Sequence, residues 1–280
     1  MGKTKINLPK EWLSSTQINM FLRCPRQYMY RYIDGIKIPP AGILILGGAG
    51  HSAIAHNYKQ KIETHKDLKT SEVLDFFVEE FDRKVEKENP VFEDDKPGII
   101  KDNGVKVLEE YQKVKSITIQ PKEVEKEFAI EFANVNYFIK GFIDLITDLK
   151  ELVDHKISKK SPYQQDLDDQ LQMTGYKLGY KCLYGEDPLE LRYDYLITTK
   201  TPQIKSYSTF RTDEDIDEYL ELIGQIVEAL KTGSFYKSTQ GWHCSQKMCG
   251  YYEKCRPHRY NKFYDFIMEV SNDSKTRTKK

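Results

Sequence analysis

Two short apolar runs, each interrupted by an aspartate, constrain the fold of this chain more than any other feature. Residues 141–158 read GFIDLITDLKELVDHKIS, with Asp144 in the first run and Asp154 in the second. Both runs are rich in β-branched and large apolar residues, and the polar TDLK between them suits a turn, so we predict two antiparallel strands. A carboxylate buried in a sheet is costly unless it is paired or binds a metal, so folding alone gives little reason for these acids.

Strand alternation places the acids beside a lysine. Successive side chains of a strand point to opposite faces, so Asp154 and Lys156 share one face, while Val153 and His155 share the other. Pairing across the predicted hairpin brings Asp144 beside Asp154, which gives two carboxylates within reach of one divalent cation. Such an arrangement is typical of metal-dependent phosphodiester cleavage. A surface hairpin with an ordinary Asp–Lys pair explains the same D-x-K pattern, so other residues must decide.

Composition indicates a soluble globular protein. Of the 280 residues, 39% are hydrophobic and 31% are charged, which suffices for a sizeable core. No apolar run reaches the roughly 20 residues that span a bilayer, and the first residues lack the apolar region of a signal peptide, so we predict a cytoplasmic protein without membrane attachment. The formal net charge is +0, so binding to nucleic acid requires a local basic face.

The pattern of elements changes along the chain from helical to extended and back. Residues 14–32 predict two short helices that meet near Cys24, where Pro25 interrupts the pattern. A further helix is predicted to begin near Gly48 and to carry His51 in its first turn. The remaining predicted elements are helices at about 71–89 and 100–116, strands at 123–132, 136–146 and 151–158, a helix at 165–184, strands at 191–199 and 203–211, and a helix at 213–231. Their order includes an α-β-β-β-α-β unit.

The predicted helix after the D-x-K strand contains the sequence QLQMTGYKLGY. Gln172 and Tyr176 are four residues apart, so both lie on one face of this helix. Packed at the edge of the sheet, the helix can direct both side chains at a scissile phosphate. His51 can complete a metal shell as a neutral imidazole, because manganese accepts a nitrogen ligand among oxygens. For His51 alone, an ordinary structural histidine is the simpler explanation.

In their order, these motifs resemble the RecB-type nucleases of the PD-(D/E)xK superfamily. The matching residues are His51 in GGAGH, Asp144 in GFID, Asp154 and Lys156 in VDHK, and Gln172 and Tyr176 in QMTGY. The resemblance covers about residues 14–256 and implies an α/β fold with a restriction-endonuclease-like α-β-β-β-α-β core, a mixed sheet and a divalent metal. Family members often carry glutamate at the position of Asp154, and the shorter acid also occurs.

Four of the five cysteines form a second pattern. Cys24 stands far from Cys244, Cys249 and Cys255, which leaves Cys182 apart. The four resemble the iron–sulfur branch of the same family, in which one cysteine before the nuclease core and three after it hold a [4Fe–4S] cluster. Four residues rather than the commoner two separate Cys244 from Cys249, and zinc can use the same four thiolates. We expect the cluster to have a structural role and to join the two ends of the domain. We expect Cys182 to be a small, buried hydrophobic residue.

The resemblance implies one nuclease domain over residues 1–270. Within it we expect a helical region at 48–118, a catalytic core at 123–211, and an iron–sulfur region built from 14–35 and 234–260. Residues 271–280 are polar and charged, so we predict a disordered tail there.

A mechanism follows from the resemblance as a hypothesis. We expect Mg²⁺ or Mn²⁺ to activate a water while held by four groups, namely His51, Asp144, Asp154 and a backbone carbonyl after Asp154, that of His155. Lys156 is expected to orient the water and to neutralise developing charge, and Gln172 and Tyr176 to position the DNA strand. Either Glu125 or Glu127 of the preceding strand can assist, although alternation does not say which one faces inward.

The resemblance implies a DNA exonuclease that acts on single strands or ends, in recombination, repair, CRISPR adaptation or phage replication. A non-catalytic nucleic-acid-binding or scaffold subunit of a helicase–nuclease assembly is the alternative, and the intact Asp144, Asp154 and Lys156 argue against it. The chain has no GxxxxGK[ST] motif, so a helicase partner must be another protein. Aromatic and basic residues near the cysteines, as in RQYMYRY, either stack on the bases of single-stranded DNA or pack around the cluster.

Overall fold

The computed structural model describes residues 11–92, 96–132 and 137–256. Within these ranges the chain forms two compact units. The first comprises the described residues through Ile18 together with Pro39–Gly233, and the second comprises Asn19–Ile38 and the described residues from Ser234 onward. The predicted tail at 271–280 lies outside the described residues. In the ranges given above, every helix is too short or too polar to cross a membrane.

A mixed sheet lies at the centre of the first unit. Its six strands within the described residues are β1 (Trp12–Leu13), β2 (Pro121–Phe132), β3 (Tyr137–Thr147), β4 (Glu151–Ser158), β5 (Glu190–Ile197) and β6 (Gln203–Thr209). The sheet order is β1-β3-β4-β5-β6, and β2 also pairs with β3. The pairs β1–β3 and β4–β5 are parallel, and the pairs β2–β3, β3–β4 and β5–β6 are antiparallel. The predicted mixed sheet is confirmed.

The helices of the described residues are α1 (Ser15–Arg23), α2 (Pro25–Tyr28), α3 (Gly42–Thr64), α4 (Thr70–Glu88), α5 (Pro97–Val114), α6 (Gln164–Asp168), α7 (Leu171–Tyr184), α8 (Asp213–Thr232) and α9 (Tyr252–Cys255). A π-helical turn covers Met29–Ile33, and a 3₁₀ turn covers Ser116–Thr118. The succession of α3, the three strands β2 to β4, α7 and β5 has the predicted α-β-β-β-α-β order. As predicted, α1 and α2 meet at Cys24.

The helices α3, α4 and α5 bury one side of the sheet. Their core residues include Tyr58 of α3, Phe77 of α4 and Leu108 of α5, and all three pack in one cluster with Leu145 of β3 and Val153 of β4. Because side chains alternate along a strand, this packing of Val153 leaves its neighbour in β4 for the opposite face. The apolar core therefore determines which side of β4 carries the acid.

The helix α3 begins earlier than the sequence predicted. Its first residue is Gly42 rather than Gly48, so His51 lies more than two turns from the start and not in the first turn. Ile45 and Leu46 are each 2% exposed and belong to the apolar core. Burial of these side chains outweighs the low helix propensity of the glycines that follow them.

The predicted helix at 165–184 is two helices, α6 and α7. The guanidinium of Arg211 donates hydrogen bonds to the carbonyl oxygens of Leu167 and Gln170, at 3.1 and 3.0 Å. These bonds satisfy carbonyl groups at the break that a continuous helix would otherwise satisfy. The break was not predicted because Arg211 lies far along the sequence.

A glycine lets α7 approach the sheet closely. A Cβ atom at Gly179 would lie 2.6 Å from Cγ of Phe128 in β2, and a Cβ atom at Gly141 in β3 would lie 2.6 Å from Cζ of the same ring. The buried Phe128 ring thus fills the space between α7 and the strands. Because both positions lack a side chain, the helix lies close enough to direct its polar residues at β3 and β4.

We predict that Gly179→Ala destabilises the first unit by about 1–3 kcal/mol, because the added methyl group overpacks the contact with Phe128. Urea denaturation measures the free energy of unfolding. Gly224→Ala in α8 is the matched control, since no atom lies within 4 Å of a Cβ at Gly224 and alanine favours a helix by about 0.5–1 kcal/mol over glycine. Equal stability of the two variants would contradict this account of the packing.

Candidate functional site

The two aspartates of the hairpin meet where the ladder between β3 and β4 ends. The paired residues are Leu145 with Val153 and Ile146 with Leu152, and Asp144 and Asp154 come next in the same register. The backbone N–H of His155 donates to Oδ2 of Asp144 at 3.1 Å. The carboxylate of Asp144 thus accepts a backbone hydrogen bond at the point where the strand pairing ends. The two acids lie side by side, as predicted.

Two side chains of α7 hold these carboxylates. The hydroxyl group of Tyr176 lies 3.1 Å from Oδ1 of Asp144 and 3.2 Å from Oδ1 of Asp154, as donor to either acid. The side-chain amide of Gln172 donates to Oδ1 of Asp154 at 2.6 Å. The predicted face of the helix therefore contacts the acids themselves.

Lys156 completes the group on β4. Its Nζ lies 2.7 Å from Oδ2 of Asp154 and donates to Oε1 of Gln172 at 2.8 Å. Oδ2 of Asp154 is buried, and its close partner within the described part of the chain is this ammonium group. The site therefore holds a deeply buried carboxylate oxygen that is paired with a cation.

His51 reaches the same group from α3. Its Nδ1 lies 3.1 Å from Oδ2 of Asp144, and the two side chains are 32% and 21% exposed. The side chain of Asp154 is only 1% exposed. Asp144 and His51 therefore form the solvent-accessible edge of the site, and Asp154 forms its interior.

Burial and charge set the protonation of the site. Burial raises the pKa of Asp144, but the hydrogen bond and charge of His51 outweigh it and hold that pKa well below its usual range. Burial raises the pKa of Asp154, against the opposing charge of Lys156, and the charge of Asp144 raises it further. Burial lowers the pKa of Lys156, but the charge of Asp154 reverses this and leaves that pKa raised. At neutral pH the site thus has an ionised Asp144 and a charged lysine.

The side chain of His155 faces the helices, and its Nδ1 lies 4.0 Å from Oδ2 of Asp144. Its Nε2 lies 2.8 Å from the hydroxyl group of Tyr111, which lies 2.8 Å from the hydroxyl group of Tyr58. Burial lowers the pKa of His155 to about 4, so the imidazole is neutral at neutral pH. Sequence reasoning missed both tyrosines, because they occur in helices distant from β4 along the chain.

Glu125 and Glu127, one of which was expected to assist catalysis, form ion pairs away from the two aspartates. Glu125 forms an ion pair with Lys59, and Glu127 forms one with Lys140, both on partly exposed side chains. Glu125 has a backbone φ of 51°, which interrupts the regular alternation of a strand. This irregularity explains why alternation could not tell which glutamate faces inward.

The second unit gathers four cysteines around one cavity. Cys24, Cys244, Cys249 and Cys255 all line it, and all four are free thiols. Basic and aromatic side chains complete the lining, and they include Arg26, Lys237, Arg256, Tyr30 and Tyr251. The four cysteines that the sequence singled out therefore line one cavity, although no three of the described His, Cys, Asp or Glu side chains are grouped to hold a metal ion.

The prediction for Cys182 was wrong. Its side chain is exposed rather than buried. The buried run of α7 ends at Tyr180, so Cys182 lies in the last turn, beyond the part of the helix that packs on the core. It takes no part in the cysteine cavity, whose lining residues all belong to the second unit.

Comparison with known proteins identifies the family. Residues 12–256 match the sequence model of the PD-(D/E)XK nuclease superfamily. The chain belongs to this superfamily. The matched span includes every residue of the site described above, from His51 to Tyr176. The RecB-type branch stays a prediction.

Solved structures add a likeness of fold. The crystal structure of a candidate exonuclease from Eubacterium rectale has a TM-score of 0.57 at 12% sequence identity, and the match covers 84% of this chain and 87% of that chain. At this identity the likeness shows the fold alone. The crystal structure of SSO0001 matches 77% of this chain and 76% of that chain at 14% identity, with a TM-score of 0.35, and carries no argument. No curated protein matches this chain in sequence.

We predict that Tyr176→Phe destabilises the metal-free protein by about 1.5–3 kcal/mol, because the buried Asp154 and the partly buried Asp144 lose a shared hydrogen-bond donor. Thermal and urea denaturation in a chelator measure this loss. Tyr180→Phe, one turn further along α7, is the control: its hydroxyl makes a long, 3.4 Å bond to Glu186, and its loss should cost about 0.5 kcal/mol. Similar losses in both variants would show that Tyr176 does not hold the acids.

Proposed function

We propose that this superfamily member is a divalent-metal-dependent DNA exonuclease that acts on single strands or DNA ends. One observation carries the proposal: Asp144, Asp154 and Lys156 meet in one polar group, and two side chains of α7 hold that group in place. Superfamily membership supports hydrolysis of nucleic-acid phosphodiesters. Recombination, repair, CRISPR adaptation and phage replication stay predictions, as does the cytoplasmic location.

The residues present fit Mg²⁺ or Mn²⁺. Within the described ranges, no group of three or more His, Cys, Asp or Glu side chains is placed to hold a metal ion, but Mg²⁺ is commonly held by one or two carboxylates with water in the other positions. Asp144 and Asp154 would hold it, with His51 and the carbonyl of His155 beside them, and the buried Oδ2 of Asp154, which already faces the ammonium of Lys156, fits a cation ligand. When bound, such a metal lowers the pKa of a water and polarises a phosphate.

The chain's own residues do the positioning. Lys156 is held between Asp154 and Gln172, so its ammonium occupies one place and can offset negative charge that develops on a phosphate there. Its side chain is 30% exposed, so a substrate can reach it. Tyr176 and Gln172 hold the carboxylates in the positions that the chemistry requires, and this preorganisation limits rearrangement during the reaction.

We further propose that the cavity of the second unit holds a [4Fe–4S] cluster with a structural role. Its four cysteines supply the required thiolates. The buried Nε atoms of Arg26 and Arg256, which also line the cavity, have no acceptor among the described residues. The sulfides of an anionic cluster supply acceptors and compensating charge for these guanidinium groups, whereas a zinc ion adds no acceptor of its own.

The alternative function is a non-catalytic DNA-binding or scaffold subunit that works with a helicase partner. A non-catalytic subunit gains nothing from Lys156 beside Asp154. Burying this carboxylate costs folding free energy, and an apolar residue would be more stable there. The intact group therefore favours the enzyme. Polarity of cleavage and the helicase or recombination partner are open to experiment.

Oligonucleotides labelled at the 5′ or 3′ end test the enzymatic proposal, in single- and double-stranded form. We expect cleavage of single strands with Mg²⁺ or Mn²⁺ and none in a chelator. Lys156→Ala should lower the cleavage rate by about 10²–10³-fold, because a fixed charge is lost at the reacting phosphate. Lys140→Ala, which removes a partly exposed lysine of β3 paired with Glu127, should leave the rate unchanged.

Three results would contradict the enzymatic proposal. They are cleavage that persists in the chelator, equal rates for Lys156→Ala and Lys140→Ala, and binding of oligonucleotides without any cleavage. The last result would favour the scaffold function.

Metal analysis of anaerobically purified protein tests the cluster separately. We expect about four irons per chain and a broad visible absorption band, as for a [4Fe–4S] site with cysteine ligands. About one zinc per chain without iron or colour would replace the cluster with a zinc site. That result would leave the nuclease proposal unchanged, because the acidic site lies in the first unit.

A further inference from the structure

A buried glutamine of the second unit points at one of the cavity cysteines. Gln27 is 7% exposed, and its side-chain Nε2 donates to Sγ of Cys249 at 3.0 Å. Nε of Arg23 donates to the other end of the same amide, Oε1, at 3.1 Å. The arginine can only donate, so the amide oxygen must face it and the amide nitrogen must face the sulfur.

The surroundings of this contact make the hydrogen bond to Cys249 important for the buried amide. Cys249 packs in a small apolar cluster with Tyr30 and Tyr251, so the amide of Gln27 is buried beside side chains that offer little compensation. A thiol sulfur is a weak acceptor, which poorly offsets the desolvation of an amide N–H. A thiolate accepts a charge-assisted hydrogen bond and offsets it well. The arrangement of Arg23, Gln27 and Cys249 is therefore suited to a thiolate ligand.

A second donor reaches another cysteine of the same cavity. Nη2 of Arg256 lies 3.3 Å from Sγ of Cys244 as a hydrogen-bond donor. The guanidinium also lies 5.8 Å from the ring centre of Tyr252, which helps to fix it. Two of the four cavity cysteines thus accept hydrogen bonds from neighbouring polar side chains.

We propose that Gln27, oriented by Arg23, together with Arg256, tunes the iron–sulfur cluster by raising its reduction potential and slowing its loss. This inference rests on the proposed cluster. Reduction adds negative charge to the cluster and its thiolates, so N–H donors at the sulfurs stabilise the reduced state more than the oxidised state. The same donors hold Cys249 and Cys244 in place as ligands, and loss of such outer partners commonly weakens metal binding about 10–100-fold.

Redox titration of the anaerobically purified full chain tests the proposal, with visible absorption and electron paramagnetic resonance as readouts. Gln27→Leu removes the donor to Cys249 and should shift the midpoint potential to more negative values. Arg23→Ala keeps the glutamine but frees its amide, so its shift should have the same sign and be smaller. Arg256→Gln should also shift the potential downward.

Gln246→Leu is the matched control. Gln246 lies in the same unit and donates to Oε1 of Glu253 at 2.6 Å on the surface, so its loss should leave the midpoint potential at the wild-type value. The rate of bleaching by an iron chelator gives a second readout: it should rise about tenfold in Gln27→Leu and stay unchanged in the control. Nuclease activity of the control should equal that of the wild type.

A wild-type cluster whose potential and bleaching rate are the same in Gln27→Leu and Gln246→Leu would overturn this inference and leave the cluster itself established. Wild-type protein without iron would overturn the inference and the cluster together, while the nuclease assay stays independent of both. Should Gln27→Leu fail to load a cluster, the potentials of Arg23→Ala and Gln27→Asn decide: unshifted values in both contradict the proposal.

Discussion

The ion pair between Lys156 and Asp154 is the interaction on which the arrangement of the site depends. Strand alternation places both residues on one face of β4, and Asp154 is buried there at a cost of several kcal/mol that only close partners can offset. Lys156 supplies the charge at 2.7 Å, and Gln172 contacts both members of the pair. A structure that served stability alone would place an apolar residue at this position.

Apolar packing on both sides of the sheet holds this pair in position. Val153 anchors one face of β4 in the core formed with α3, α4 and α5, which directs Asp154 to the other face. There α7 approaches closely because Phe128 packs against Gly179, so Tyr176 reaches the carboxylates of both strands. The polar site is therefore positioned by contacts that are themselves apolar.

Local periodicity predicted much of this site, and distant contacts account for what it missed. The hairpin and the helix face of Gln172 and Tyr176 follow from spacings of two and four residues. The break between α6 and α7 depends on Arg211, which lies about 40 residues away along the chain. The contact between Tyr111 and His155 spans 44 residues. The residue pattern of a single helix or strand does not show contacts between residues so far apart. The exposure of Cys182 likewise depends on where the packed core ends, which the pattern of α7 alone does not show.

Anomalous diffraction from crystals soaked in Mn²⁺ tests most directly whether the paired acids form a metal site. We predict an anomalous peak in contact with the carboxylates of Asp144 and Asp154 in the wild type, and its loss in Asp154→Ala with the fold retained. A peak that lies elsewhere, or the absence of any peak at a saturating concentration, would contradict a metal site at the end of the β3–β4 ladder.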